Sequence, residues 1–205
     1  MAFEIVVFFV VAFFIVMERI ILASASPRRA ELLRAAGIEF DVMPANIDER
    51  VHAEETAEVY VQRVAEAKAT AVRQRANGRP VLAADTVVVV DGAILGKPVD
   101  RDDAKRMLRM LSGRSHQVMT GVTLLRGAAM ATRVESTTVE VAPLTDDDIG
   151  WYTATGEPDD KAGAYAIQGY ASRFITRIAG SYSNVVGLPV ARIIEMMKEA
   201  ALQQR

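Results

Sequence analysis

A chain of 205 residues, 51% hydrophobic and 24% charged, has the make-up of an ordinary globular protein of one domain or two closely fused lobes. Its net charge of −2 supplies no global basic field for nucleic acid, and the lack of cysteine excludes disulfides, thiolate catalysis and Cys-type zinc sites. The two histidines, His52 and His116, stand too far apart for a His-rich metal spacing and read as loop or strand residues.

The first element is MAFEIVVFFVVAFFIVMER, with an unbroken apolar run from Ile5 to Met17. That run is shorter than the roughly 17–20 residues needed to span a bilayer. Glu4 stands where a secretory signal carries basic residues, and no A-x-A cleavage site follows. The preferred reading is an upstream start codon: residues 1–16 form an extension, Met17 is the natural beginning, and 17–205 make one domain. A membrane anchor is the less favoured alternative, and the cytoplasm is the expected location.

IILASASPRRAELLRAAG, residues 20–37, reads as a short strand, a small-residue turn and a helix. Ser26 sits at the N-cap and Pro27 at the first helical position, Leu32, Leu33 and Ala36 form the apolar stripe, and Gly37 ends the helix. DVMPANIDERVH is a strand end and loop, and a long helix from about Thr56 to Ala76 closes at Asn77-Gly78. PVLAADTVVVVDGAILGKP gives an apolar strand, an Asp91-Gly92 hairpin turn and a short return strand. Asp100 and Asp103 make a capping-box-like start for a helix stopped by Gly113. HQVMTGVTLL and ATRVESTTVEVAP form paired strands, and Thr145 and Asp148 cap a short helix. GEPDDKAGAYAIQG is too rich in Gly, Pro and Asp for a regular element, RFITRIAG is a strand, and Leu188-Pro189 opens the last helix. Hairpins mixed with crossovers imply an α/β fold: a mixed, twisted sheet with flanking helices and loops forming a cleft.

Five features carry chemistry. Arg28 and Arg29 occupy the first turn of their helix, where the macrodipole disfavours cations by about 0.3–1 kcal/mol each. A bound anion reverses that sign, because free N–H groups, the Ser24 and Ser26 hydroxyls and two guanidiniums would converge on it. A solvated arginine pair is the plainer alternative. Lys68 interrupts the apolar stripe of Val61, Val64 and Ala71, either as a snorkelling side chain or as an ammonium aimed into a cleft. Asp85 and Thr86 lie inside an apolar strand, so Asp85 must be protonated, paired with a cation or bound to a metal. Strict alternation sends the two to opposite faces, so a shared site requires the strand to end or bulge there. Lys97, between Gly96 and Pro98, has a tight extended backbone that suits either an aimed side chain or a plain turn. Asp48 and Glu49 lie in a loop that can supply a second carboxylate. Hard oxygen ligands, Mg²⁺ and triphosphate belong together, and no Walker or G-x-G-x-x-G loop is present.

LASASPRRAELL, AADTVV, LGKP, HQVMTGV, EPDDKAGAYAIQG and GSYSNVVGLP together resemble the Maf family of nucleotide pyrophosphatases, also described as septum-formation-inhibitor homologues. The resemblance runs from about Arg19 to the last helix. It implies an inosine-triphosphate-pyrophosphatase-like α/β fold with a central cleft, usually dimeric. It also implies hydrolysis of nucleoside triphosphates to monophosphate and pyrophosphate with a divalent cation, Mg²⁺ or Mn²⁺. Asp160 to Gly169 is similar to the segment of the subgroup acting on dTTP and UTP, not of the one preferring 7-methyl-GTP. By position Asp85 matches the family's proton acceptor, and Arg28, Thr86 and Gln168 match positions tied to substrate choice. Ser24, Arg29, Glu49, Lys68 and Lys97 match polar residues lining the cleft, and Ser26 joins the phosphate-binding set. The expected mechanism is metal-assisted attack of water on the α-phosphorus, with Asp85 as base or metal ligand and Glu49 helping to hold the metal. Gln168 would read the O4/N3 edge of a pyrimidine. The partners expected are a nucleoside triphosphate and a second copy of the chain, with no nucleic acid and no membrane. The rival readings are a non-enzymatic nucleotide-binding regulator of septum formation and a purine, inosine- or xanthosine-type, pyrophosphatase.

Overall fold

The computed structural model describes residues 18–202; the apolar run before Glu18 and the expected start at Met17 lie outside them. In chain order the elements are β1 (Ile20–Leu22), α1 (Pro27–Ala35), β2 (Phe40–Val42), α2 (Ala57–Val72), β3 (Val81–Val90), β4 (Ala93–Leu95) and α3 (Arg101–Leu111). They continue with β5 (Ser115–Arg126), β6 (Ala129–Val141), α4 (Asp146–Ala154), β7 (Ile175–Ala179), α5 (Tyr182–Val186) and α6 (Val190–Leu202).

Seven strands form one mixed sheet in the order β2-β1-β3-β5-β6-β7, with β4 added to β3. The pairs of β1 with β2 and β3 are parallel, and the remainder are antiparallel. The two faces of β3 divide the core by strand alternation. Val81, Ala83 and Val87 face α2, packing on Ala69, Val72, Val61 and Val64. Leu82 and Ala84 face Leu33 of α1 and Ile193 of α6. Further along that face, Val88 and Val90 meet Leu108 and Leu111 of α3, Tyr152 of α4, and Tyr165.

Local chemistry explains the ends of these elements. Thr56 caps α2 by accepting from the Val59 amide, and Thr145 with Asp148 forms a reciprocal capping box on α4. The Asp91-Gly92 turn has both residues at positive φ, as a two-residue hairpin requires. One expectation is refined and two change. Ser26 is the N-cap residue of α1, but its side chain makes no capping bond. In α2 Ala71 is exposed and Val72 completes the buried stripe. The Gly-rich stretch after α4 is not featureless: 3-10 turns at Glu157–Asp160 and Ala162–Ala164 order it, and α5 is a further short helix.

Candidate active site

The site exists because one strand edge is left open. Strand β5 pairs with β3 continuously from Val81 to Val89. On the opposite edge β1 covers only Val81 and Leu82, and β4 only Val88 to Val90. Between them the edge of β3 around Ala84 to Thr86 has no strand partner, and a cleft of about 560 Å³ runs along it. This corrects the expectation that β3 must end or bulge for Asp85 and Thr86 to share a site. The register is regular, with Asp85 opposite Gly121 and Thr86 opposite Thr120. The two side chains do leave on opposite faces, and the cleft wraps the open edge so that both line it.

Arg29 closes the gap. From the first turn of α1 its Nη1 donates to the Ala84 carbonyl at 2.8 Å, satisfying the orphaned strand edge, and to Ser24 Oγ at 3.1 Å. Its Nε donates to the Gly187 carbonyl at 2.8 Å and its Nη2 to Thr86 Oγ1 at 3.1 Å. Four of its five N–H donors are therefore spent inside the protein, which narrows its expected role as a phosphate ligand to the one that remains. Burial pulls its guanidinium below the usual value, and the charges of Asp85 and Glu49 oppose that pull. Its neighbour Arg28 does not converge with it; Arg28 reaches across the cleft mouth to Asp160 at 3.3 Å. Ser24 Oγ accepts from Arg29 and from the Ser26 amide, so its own hydrogen stays available to a ligand.

On the other face of β3, Lys68 stands between two carboxylates. Its Nζ lies 2.8 Å from Asp85 Oδ1 and 3.1 Å from Glu49 Oε2. Lys68 and Asp85 are both buried, so the cation is paired as burial demands, and the snorkelling alternative falls away. Asp48, the other loop carboxylate, turns away to Arg50, which with its own backbone N–H holds it down at about 2. Tyr60 was missed from sequence, although Tyr60, Val64 and Lys68 recur every four residues on one helical face. Its hydroxyl donates to the Glu49 carbonyl at 2.8 Å and fixes the loop that presents Glu49. Lys97 and Gln168 line the cleft as exposed side chains, beside Lys161. Asn184 was also missed; fully buried, it donates to the Val118 carbonyl and Thr137 Oγ1, and so seats α5 and the Gly187 carbonyl that Arg29 needs.

The cleft is lined by Arg28, Arg29, Lys68, Lys97 and Lys161 against Glu49, Asp85 and Asp160, so its field is positive in a chain of net charge −2. Among the described residues no group of three or more His, Cys, Asp and Glu side chains forms a metal cage. What the cleft offers a cation is Glu49 and Asp85 Oδ2, which accepts no hydrogen bond among the described residues. That donor set fits a magnesium-type ion, which binds through one or two carboxylates together with substrate phosphates.

His116 is a wall support, not a ligand. It is 2% exposed, and its Nε2 shares a 2.8 Å hydrogen bond with the hydroxyl of Tyr165, which lines the cleft. Burial lowers its pKa to about 4, from 6.5. The neutral form is the folded one, so its contribution to stability is complete above pH 6.5 and is lost as pH falls towards 4. The expected loss is up to about 3 kcal/mol across that window. Urea unfolding at pH 7, 5.5 and 4.5 measures it, and His116→Gln should flatten the slope; equal slopes in both proteins would contradict the assignment.

Residues 19–200 match the Maf-like protein family. The chain belongs to the Maf family. Relatives in the family include the dTTP/UTP pyrophosphatase of Symbiobacterium thermophilum, 55% identical over 89% of this chain and 94% of that one. The dTTP/UTP pyrophosphatase of an Anaeromyxobacter species is 53% identical over 89% of each chain. That of Koribacter versatilis is 51% identical over 89% of this chain and 95% of its own. Maf motifs in the sequence are among the segments that converge here: SPRR at the head of α1, ADT on the open edge of β3, LGKP at the end of β4, and the Gly-rich turn that carries Gln168.

Proposed function

We propose that the protein hydrolyses dTTP and UTP to the nucleoside monophosphate and pyrophosphate. The observation that carries this reading is the open strand edge, where a buried carboxylate, Asp85, meets a set of cations large enough to hold a triphosphate. The dTTP/UTP pyrophosphatase relatives at about half identity supply the substrate class.

In this reading the triphosphate lies along the cleft with its charge met by Lys68, Lys97 and the remaining donor of Arg29. The amides at the start of α1 and the Ser24 hydroxyl add uncharged donors. Asp85 takes the proton of the attacking water as it approaches the α-phosphorus, and Lys68 holds that carboxylate in place. A divalent cation, Mg²⁺ or Mn²⁺, would be held by Glu49 and Asp85 and would supply Lewis-acid charge stabilisation for the phosphates. Thr86 acts through what it touches: its hydroxyl lies between Arg29, Thr120 and the Gly187 carbonyl. Gln168, an amide with both donor and acceptor, is suited to the O4/N3 edge of uracil or thymine. Arg28 sets the cleft mouth with Asp160. A homodimer, a cytoplasmic location and a house-cleaning role linked to cell division belong to the same reading. A septum regulator without activity would have no need of a paired Asp85–Lys68 beside a cationic groove.

Gln168→Ala tests the substrate assignment. Losing one partner of a hydrogen bond that the bound base would bury costs about 1–3 kcal/mol. The kcat/KM for dTTP and UTP should fall by that amount, while a purine triphosphate changes little. Equal falls for both would mean that Gln168 acts on the phosphates or the loop and does not read the base.

A further inference from the structure

We propose that Glu157 is a positioning residue for base selection, whose carboxylate, together with the Tyr152 hydroxyl, staples the backbone on both sides of Gln168. This rests on the reading of Gln168 as the side chain that meets the base. Gln168 itself is exposed and makes no side-chain hydrogen bond among the described residues, so its direction is set by the turn that carries it. That turn is tight: the Gly169 amide donates to the Ala166 carbonyl at 3.0 Å.

Glu157 holds the turn from outside. Its Oε1 accepts from the Tyr152 hydroxyl at 2.8 Å and from the Ala171 amide at 3.2 Å. Its Oε2 accepts from the Tyr170 amide at 2.9 Å. The Tyr152 hydroxyl in turn accepts from the Ala166 amide at 3.2 Å. The residues gripped therefore lie two before Gln168 and two and three after it. Tyr152 is fully buried, edge-on to Phe174 at a centroid distance of 5.9 Å, which anchors the staple in the core. Gly169 completes the fit, because a Cβ there would stand 1.9 Å from Glu157 Oε2.

Three donors converge on these two oxygens, and only an acceptor-only carboxylate satisfies them all. A glutamine of the same shape must turn its NH₂ towards at least one O–H or N–H. Glu157→Gln is therefore a near-isosteric change that loosens the turn without opening a cavity.

The test combines two readouts. Hydrogen exchange followed by mass spectrometry should show the segment around 166–171 exchanging faster in Glu157→Gln, with β3 and α2 unchanged. The ratio of kcat/KM for dTTP over a purine triphosphate should fall about tenfold. In a Gln168→Ala background the added Glu157→Gln should leave that ratio within about twofold, since the side chain it positions is gone. Unchanged exchange overturns the proposal, and so does a ratio that falls by the same factor with and without Gln168. Faster exchange with the ratio kept overturns it too. Should Glu157→Gln fail to fold, Tyr152→Phe removes two bonds of the staple and carries both readouts. Failure of the substrate reading is distinct, because the wild-type protein would then show no preference for dTTP before any variant is made.

Discussion

Asp85→Asn is expected to lower kcat for dTTP about 10²–10⁴-fold while the protein stays folded, the usual cost of losing a positioned base. The amide oxygen can keep the 2.8 Å bond from Lys68 Nζ, so the ion pair becomes an ammonium–amide hydrogen bond, Lys68 keeps Glu49 as its counter-charge, and the packing on β3 survives. What disappears is the second oxygen, Oδ2, as an acceptor, and with it both the proton acceptor and a carboxylate for the cation. Steady-state rates read beside a thermal unfolding curve separate the two effects. Turnover within a few-fold of wild type would remove Asp85 from the chemistry.

Gly121→Ala should cost about 3 kcal/mol or more, at the upper end for overpacking. Gly121 lies on β5 directly opposite Asp85, and a Cβ there would sit 2.2 Å from the Val61 carbonyl oxygen of α2. The obstacle is backbone, which cannot swing aside as a side chain does, so α2 must lift from the sheet. Lys68 rides on α2, so the Lys68–Asp85 contact and the activity should fall together with stability. Gly150 is the control: it is exposed within α4, its Cβ would meet nothing within 4 Å, and alanine should stabilise the helix by up to about 1 kcal/mol. Urea unfolding of both variants gives the comparison. A Gly121→Ala protein as stable as wild type would show that α2 does not need this close approach.

Most of the fold could be read from local chemistry. The Thr56, Asp100 and Thr145 caps, the Asp91-Gly92 turn and the Val-rich β3 each announce themselves through residue types whose physics is short-range. Asp85 and Lys68 were equally legible, since a charge in an apolar pattern demands a partner. Their being each other's partner was not, because the pairing depends on how α2 lies across the sheet, a long-range fact fixed in part by Gly121. The open edge of β3 was hidden for the same reason: β1 and β4 stop short at opposite ends of one edge, and no property of the AADTVV segment records what its neighbours leave uncovered. That hidden edge is why strict alternation wrongly demanded a bulge. It also explains why Arg29, an expected phosphate ligand, spends donors on the Ala84 and Gly187 carbonyls as well. Asn184 and Glu157 escaped for another reason, since each acts largely by hydrogen-bonding backbone groups, which leave no signature in the sequence, whereas Tyr60 shared the helical spacing of Lys68 and only its backbone partner was hidden.

The most direct measurement is a panel of nucleoside triphosphates incubated with the protein and a divalent cation, with the products resolved. dTTP and UTP should be consumed fastest and yield monophosphate and pyrophosphate, with purine triphosphates, inosine triphosphate included, well behind. Release of orthophosphate in place of pyrophosphate, or a purine as the best substrate, or no turnover of any nucleotide, would contradict a dTTP/UTP pyrophosphatase built on the open edge of β3.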